Sequence, residues 1–263
     1  MSFILISVLY FPVISNLFKQ WINDPNYQHG ILIPVISAFI LWKRREKLKE
    51  DAGSGNSYTG LIIIFVSALL LVAGTAAAEL FSARVSFPLL ILGIVLYLMG
   101  PGFSRTAAFP ILFLLLAVPL PYIIYYRLTF PMQLFSAKLS TYILKVIGVS
   151  VIRKGNILHL PEYTLEVIAA CSGLRSLMTM VTIAVIFTVF SGFSKTKNLI
   201  LVAASIPVAI AANAIRLTVT ALGAYTIGPE FADGTIHEIS GLIVFVAGLL
   251  LLLLCIRILK WIK

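Results

Sequence analysis

The sequence predicts an all-α polytopic membrane protein of about eight transmembrane helices, with an outer-face amphipathic helix and a small β-hairpin before the sixth. Three observations carry this. The 263 residues are 60% hydrophobic and only 11% charged, whereas a soluble domain usually carries about 25% charged residues. Apolar runs recur along the whole length, separated by Pro/Gly or basic turns. The net charge of +10 is concentrated in short loops, as positive residues on the cytoplasmic side of a membrane are. The helices consume the chain, so a single integral-membrane domain over 1–263 is expected. No basic–aromatic stripe is present, which argues against nucleic acid as a partner and makes membrane lipid the natural one.

The elements follow in order, with ends uncertain by a few residues. The first segment covers 2–18. No basic leader or small-residue cleavage site precedes Lys19, so a cleaved signal peptide is not expected. An outer loop from Lys19 to Tyr27 leads to a second segment over 29–42. That segment ends in Lys43-Arg44-Arg45-Glu46-Lys47-Leu48-Lys49, the densest basic cluster in the chain, which assigns this loop to the cytoplasm. A Gly/Ser/Asn turn over 53–57 precedes a third segment at 58–78. The fourth, 86–100, stops at Pro101-Gly102, and the fifth, 106–121, is closed by Pro119 and Pro121.

The longest stretch read as non-spanning follows, 122–170. Over 128–147, Leu134, Ala137, Leu139, Ile143, Leu144 and Ile147 accompany Lys138 and Lys145, the pattern of an amphipathic helix lying in the membrane surface. The period then changes. Val149, Val151, Ile157, Leu158 and Leu160 flank Arg153-Lys154-Gly155-Asn156, which reads as a hairpin. A further strand, 164–168, runs toward Cys171. Segments six, seven and eight fall at 172–190, 198–222 and 237–256, the last ending in Arg257, Lys260 and Lys263. Both termini are thereby expected in the cytoplasm.

Three reactive residues fall at one end of these last segments. Counting about 1.5 Å of rise per residue from the turn at 191–197 places Cys171 and Arg216 some 27–30 Å away, near the opposite surface. The same count from Arg257 brings His237 to that level. A thiol at a helix start feels the positive end of the helix dipole, which favours the thiolate, and Arg175 adds positive charge nearby. Arginine within an apolar helix is costly and marks a functional position unless it merely snorkels to the interface. Asn213, three residues before Arg216, shares its helix face. Tyr27 and His29 lie on the same outer face before the second segment. Cys171, Arg216 and His237 are therefore candidate catalytic residues, and Asn213, Arg175, Tyr27 and His29 candidate substrate-binding residues. Cys255 sits at the far end of its segment, too distant for a disulfide, which needs Cα atoms within about 7 Å. No pair of His or Cys has ligand spacing, and no nucleotide-binding fingerprint is present, so neither metal nor cofactor is expected.

The stretches Ala170-Cys171-Ser172-Gly173-Leu174-Arg175-Ser176, Asn213-Ala214-Ile215-Arg216 and His237-Glu238-Ile239-Ser240-Gly241 resemble the signatures of the exosortase/archaeosortase family. Trp21-Ile22-Asn23-Asp24-Pro25-Asn26-Tyr27-Gln28-His29-Gly30, running on to Trp42-Lys43-Arg44-Arg45, is similar to that family's N-terminal motif. The resemblance implies a membrane-embedded cysteine transpeptidase, with Cys171, Arg216 and His237 as its catalytic residues. It implies exported proteins as partners, each carrying a C-terminal sorting signal of short motif, transmembrane helix and basic tail. The acceptor would be a cell-surface lipid or polysaccharide. Localisation would be the inner or plasma membrane, multi-pass, with the site on the periplasmic or extracellular face. Two alternatives stay open: an intramembrane cysteine protease that only hydrolyses, and a transporter or scaffold for polysaccharide export.

Overall fold

The computed structural model describes residues 2–161, 163–167, 174–228, 231 and 235–261, with the backbone alone for 2, 3, 5, 174 and 235–240. It is predominantly helical, with one small sheet. The helices are α1 (Ser2–Asn23), α2 (Leu32–Lys43), α3 (Arg45–Glu50), α4 (Tyr58–Ala76), α5 (Leu80–Phe113), α6 (Tyr122–Val146), α7 (Leu174–Phe190), α8 (Lys195–Thr226) and α9 (Thr235–Trp261). The stretches Tyr58–Ala76, Leu80–Ala117, Lys195–Thr226 and Gly241–Trp261 are long and apolar enough to cross a membrane. Gln28–Lys43 and Arg175–Phe190 are shorter apolar helices. The chain divides into two compact units, Met1–Pro121 and Tyr122–Lys263.

In the first unit α4 and α5 pack closely because glycines face the neighbouring backbone. A Cβ at Gly60 would lie 2.7 Å from the Tyr97 nitrogen, and one at Gly93 would lie 2.9 Å from the Ile64 nitrogen. Small residues at such contacts let helices approach within a bilayer, where no hydrophobic force drives them together. The fourth and fifth segments read from sequence are the two helical arms of α5, separated by a kink at Gly100, where φ is 80°. Gly100 and Pro101 together account for the break. Glycine tolerates positive φ, and proline both removes a donor and restricts the residue before it. The helix also begins earlier than expected, at Leu80. Glu79 caps it by accepting from the Phe81 and Ser82 N–H groups, at 2.9 and 2.7 Å. Burial works against the Glu79 charge, but Ser82, Phe81 and Arg84 outweigh it and hold the carboxyl below its ordinary range. The cap is thus fully present above the ordinary carboxylate pKa and is lost as pH falls through the depressed folded value. Arg84, expected in a loop, lies inside the helix, 5% exposed, and donates to the Gln20 side-chain oxygen at 2.7 Å.

The N-terminal motif holds the end of this unit together. The Trp21 indole donates to the Ala117 carbonyl at 2.8 Å. The Tyr27 hydroxyl accepts from the Leu120 N–H at 3.2 Å, and the His29 ring is turned toward the Leu116 backbone. A Cβ at Gly30 would lie 2.4 Å from the Trp21 indole nitrogen, so only glycine fits beneath the ring. Gly30→Ala is expected to lower stability by about 1–3 kcal/mol through overpacking. Trp21→Phe should cost about the same by orphaning a buried carbonyl. Thermal unfolding of the purified variants in detergent checks both. Unchanged midpoints would refute the clamp.

In the second unit α8 packs against α6, α7 and α9. The sheet has the order β1 (Ile152–Lys154), β2 (Ile157–His159), β3 (Thr164–Glu166), antiparallel throughout. The expected hairpin is its first two strands, turned by Gly155-Asn156 with Gly155 at φ 64°. The strand expected to follow is β3, paired to β2. One face of the sheet, with Leu158, Leu165 and Val167, shares a buried cluster with Ala137 and Leu144 of α6 and Leu217 and Ala221 of α8.

The expected amphipathic helix is α6, but its buried side differs from the apolar stripe read from sequence. Ala137 and Leu144 are buried as expected. Beside them, however, lie Thr129, Gln133, Ser136, Ser140 and Thr141, while Tyr122, Ile123, Tyr126, Phe135, Tyr142 and Val146 are exposed. Tyr122, Tyr126 and Phe130 stack in turn along the helix, with ring centroids 6.3 and 5.6 Å apart. Hydroxyl and small residues thus line the packed side of α6, and large apolar residues its outer side.

Candidate active site

The site is built on α8. Buried polar contacts hold this helix against α6. The Asn213 side-chain amide donates to the Ser136 hydroxyl at 3.1 Å, and the Ser140 and Thr218 hydroxyls share a hydrogen bond of 3.0 Å. Both contacts are buried, and in an apolar surround such pairs fix helix rotation because a slipped register leaves polar groups unsatisfied. Asn213 reaches α6 through Ser136, and Arg216 lies against Gly241 of α9.

Arg216 is partly buried. A Cβ on Gly241 would lie 3.3 Å from its Nε, 3.4 Å from Cζ and 3.6 Å from Nη2. Three nearly equal distances mean that the flat face of the guanidinium lies across position 241. Gly241 therefore seats Arg216. Residue 237 is four positions earlier in the same helix, one turn away, on the face that Gly241 occupies. Leu217, next to Arg216, belongs to the buried cluster under the sheet, so the guanidinium stands at the end of α8 that the sheet covers.

Cys171 lies outside the described residues, as do the side chains of His237 and Glu238. The described chain resumes in α7, where Arg175 is exposed and its carbonyl accepts from the Thr179 hydroxyl at 2.9 Å. Tyr27 and His29 belong to the first unit, where the Tyr27 hydroxyl accepts from the Leu120 N–H and the His29 ring is turned toward Leu116. Cys255 is half-buried in α9.

Gly241 and Ser136 are the residues that sequence reasoning left without a role. Gly241 stands in the quoted His237–Gly241 stretch, and its i, i+4 spacing from His237 was the available signal. Ser136 had none, since a serine in an amphipathic pattern reads as its wet side. Gly241→Ala would press a methyl group on a movable guanidinium, so folding should be little affected while Arg216 shifts. Misplacing a reacting group by about 1 Å can cost on the order of 100-fold in rate. We expect Gly241→Ala to lose less than that at unchanged thermal midpoint, and Gly241→Leu to approach it with a lowered midpoint from overpacking. Wild-type turnover in both variants would show that the seat is irrelevant to activity.

Comparison with known proteins adds one finding. The family model described as transmembrane exosortase matches residues 21–254, a span that includes the N-terminal clamp, Arg216 and Gly241. No curated protein and no solved structure matches.

Proposed function

The chain belongs to the transmembrane exosortase family, and from that premise we propose that it is a cysteine transpeptidase cutting the C-terminal sorting signals of exported proteins. The Cys171 thiolate attacks the backbone carbonyl just before the substrate's membrane helix. Arg216 stabilises the oxyanion. The C–N bond breaks as His237 gives its proton to the leaving amine, and a thioester remains. His237 then takes the proton of an incoming nucleophile. That nucleophile displaces the thiolate and receives the protein. The acceptor in this reading is a lipid or polysaccharide at the cell surface.

The observation that carries the reading is the seat of Arg216 on Gly241, one turn along α9 from residue 237. An arginine laid on another helix is held for a task, whereas a snorkelling arginine extends freely toward water. Chain tethering supports the same reading. Val167 is in the cluster that contains Leu217, and four extended residues span at most about 14 Å, which bounds how far residue 171 can stand from Val167. We read eight crossings, with the arms on either side of Gly100 counted separately and both termini cytoplasmic. On this reading Arg175 and Asn213 line or support the substrate groove, while Tyr27 and His29 act through the clamp on 116–120.

The test is the product. A tailed substrate incubated with purified enzyme and candidate acceptors should gain a new mass on its cleaved carboxyl. A free acid under every acceptor condition would favour the hydrolase instead.

A further inference from the structure

The first unit carries a groove that the proposed chemistry does not use. It holds about 340 Å³ between the start of α4 and the arm of α5 after Gly100. Ile63, Leu92, Leu96 and Ala108 give it apolar walls, and Ser57, Thr59, Ser104 and Arg105 supply its polar groups. Arg105 is exposed. Among the described residues its guanidinium enters no ion pair, since both salt bridges there fall on Glu46. Its neighbours are otherwise engaged. Arg44 donates to the Thr106 carbonyl at 3.3 Å and lies 5.8 Å from the Phe109 ring centre. The Thr106 hydroxyl donates to the Asp51 carboxylate. Ser57 makes no side-chain capping bond to α4, so its hydroxyl remains available at the groove. Arg105 lies beside the basic cluster 43–49, which the orientation proposed above puts in the cytoplasm.

We propose that this groove binds an anionic glycerophospholipid of the cytoplasmic leaflet, with the headgroup phosphate on Arg105, Ser57 and Thr59 and one acyl chain along Ile63, Leu92 and Leu96. Charge and shape select this ligand together. A lone guanidinium with two hydroxyls suits a phosphate, and apolar walls continuing from it into the membrane suit a chain and not a soluble anion. The volume is at the low end for ligand sites, about 300–1,000 Å³, which matches a headgroup and the upper part of one chain while the remainder stays in the bilayer. The inference rests on the proposed membrane orientation but not on the cysteine chemistry, and its test needs no turnover.

The full chain, purified in detergent, is titrated with dioleoyl phosphatidylglycerol or dioleoyl phosphatidylcholine, and retained lipid is counted by native mass spectrometry. A basic residue at a membrane surface favours anionic lipid by about 1 kcal/mol, or about fivefold. Wild type should show at least that preference for phosphatidylglycerol at the first bound lipid. Arg105→Gln should remove it, Arg105→Lys should keep most of it, and Ala108→Trp should weaken both lipids by filling the groove. Arg127→Gln, on α6, should change nothing. A wild-type preference in Arg105→Gln, or an equal loss in Arg127→Gln, would overturn the assignment. Displacement of the first lipid by glycerol 3-phosphate at matched concentration would also overturn it, by identifying a soluble phosphate as the ligand.

Discussion

Cys171→Ala and Cys171→Ser should both abolish processing of a tailed substrate while leaving the protein at its normal level. The expectation follows from covalent chemistry. Without the thiolate no thioester forms, and serine at the same place lacks the acidity that a helix N-terminus can exploit in a thiol. Cys255→Ala is the internal control. It lies in α9 eighteen positions from residue 237, about 27 Å along the helix, and should process normally. The readout is the size of the substrate in cells carrying each variant. Normal cleavage by Cys171→Ala would end its assignment as nucleophile.

Arg216→Lys should be nearly as damaging. Loss of one preorganised oxyanion donor typically costs on the order of 100- to 1000-fold in rate, and lysine cannot replace what the seat at Gly241 holds. The guanidinium lies flat across position 241, within 3.3–3.6 Å of where a Cβ would be. A lysine amine is a mobile point charge without a face to lay there. If Arg216 only snorkelled to the interface, lysine would serve equally well. The cleavage rate of the purified variant on a synthetic tail peptide in lipid separates the two. A wild-type rate would remove Arg216 from the chemistry and leave Cys171 and His237 as a dyad.

Much of this architecture is legible in the sequence because bilayer physics writes it in composition. Apolar runs give the helices and the Gly155-Asn156 pair gives the hairpin, while the basic cluster after Trp42, expected as a loop, ends α2 and forms the short helix α3. On α6 the sequence offers an apolar stripe beside Lys138 and Lys145 but no signal for Thr129, Ser136 and Ser140, which lie on its buried side. In lipid the interface is marked by small and hydroxyl residues, and apolar periodicity loses its sign. Arg84 falls between the third and fourth segments read from the sequence, whereas it lies inside α5, where the distant Gln20 accepts from it and the Glu79 charge is near.

The site divides the same way. Arg216 was conspicuous by its cost in an apolar helix. Its seat was not, because a glycine signals little until the neighbour that would strike its Cβ is known. Tyr27 and His29 are candidate substrate-binding residues by their position in the sequence. Their contacts with the 116–120 backbone require residues about ninety positions away, which no local pattern carries.

The proposed reaction passes through a covalent acyl-enzyme at Cys171. Purified enzyme mixed with a tail peptide and quenched in acid within the first turnover can be weighed intact and digested to locate the adduct. The expected result is a mass increase equal to the fragment before the cut, attached at Cys171, released by hydroxylamine and absent in Cys171→Ala. Cleavage at the full rate with no adduct at any time point, or with Cys171 already alkylated, would contradict the proposed reaction.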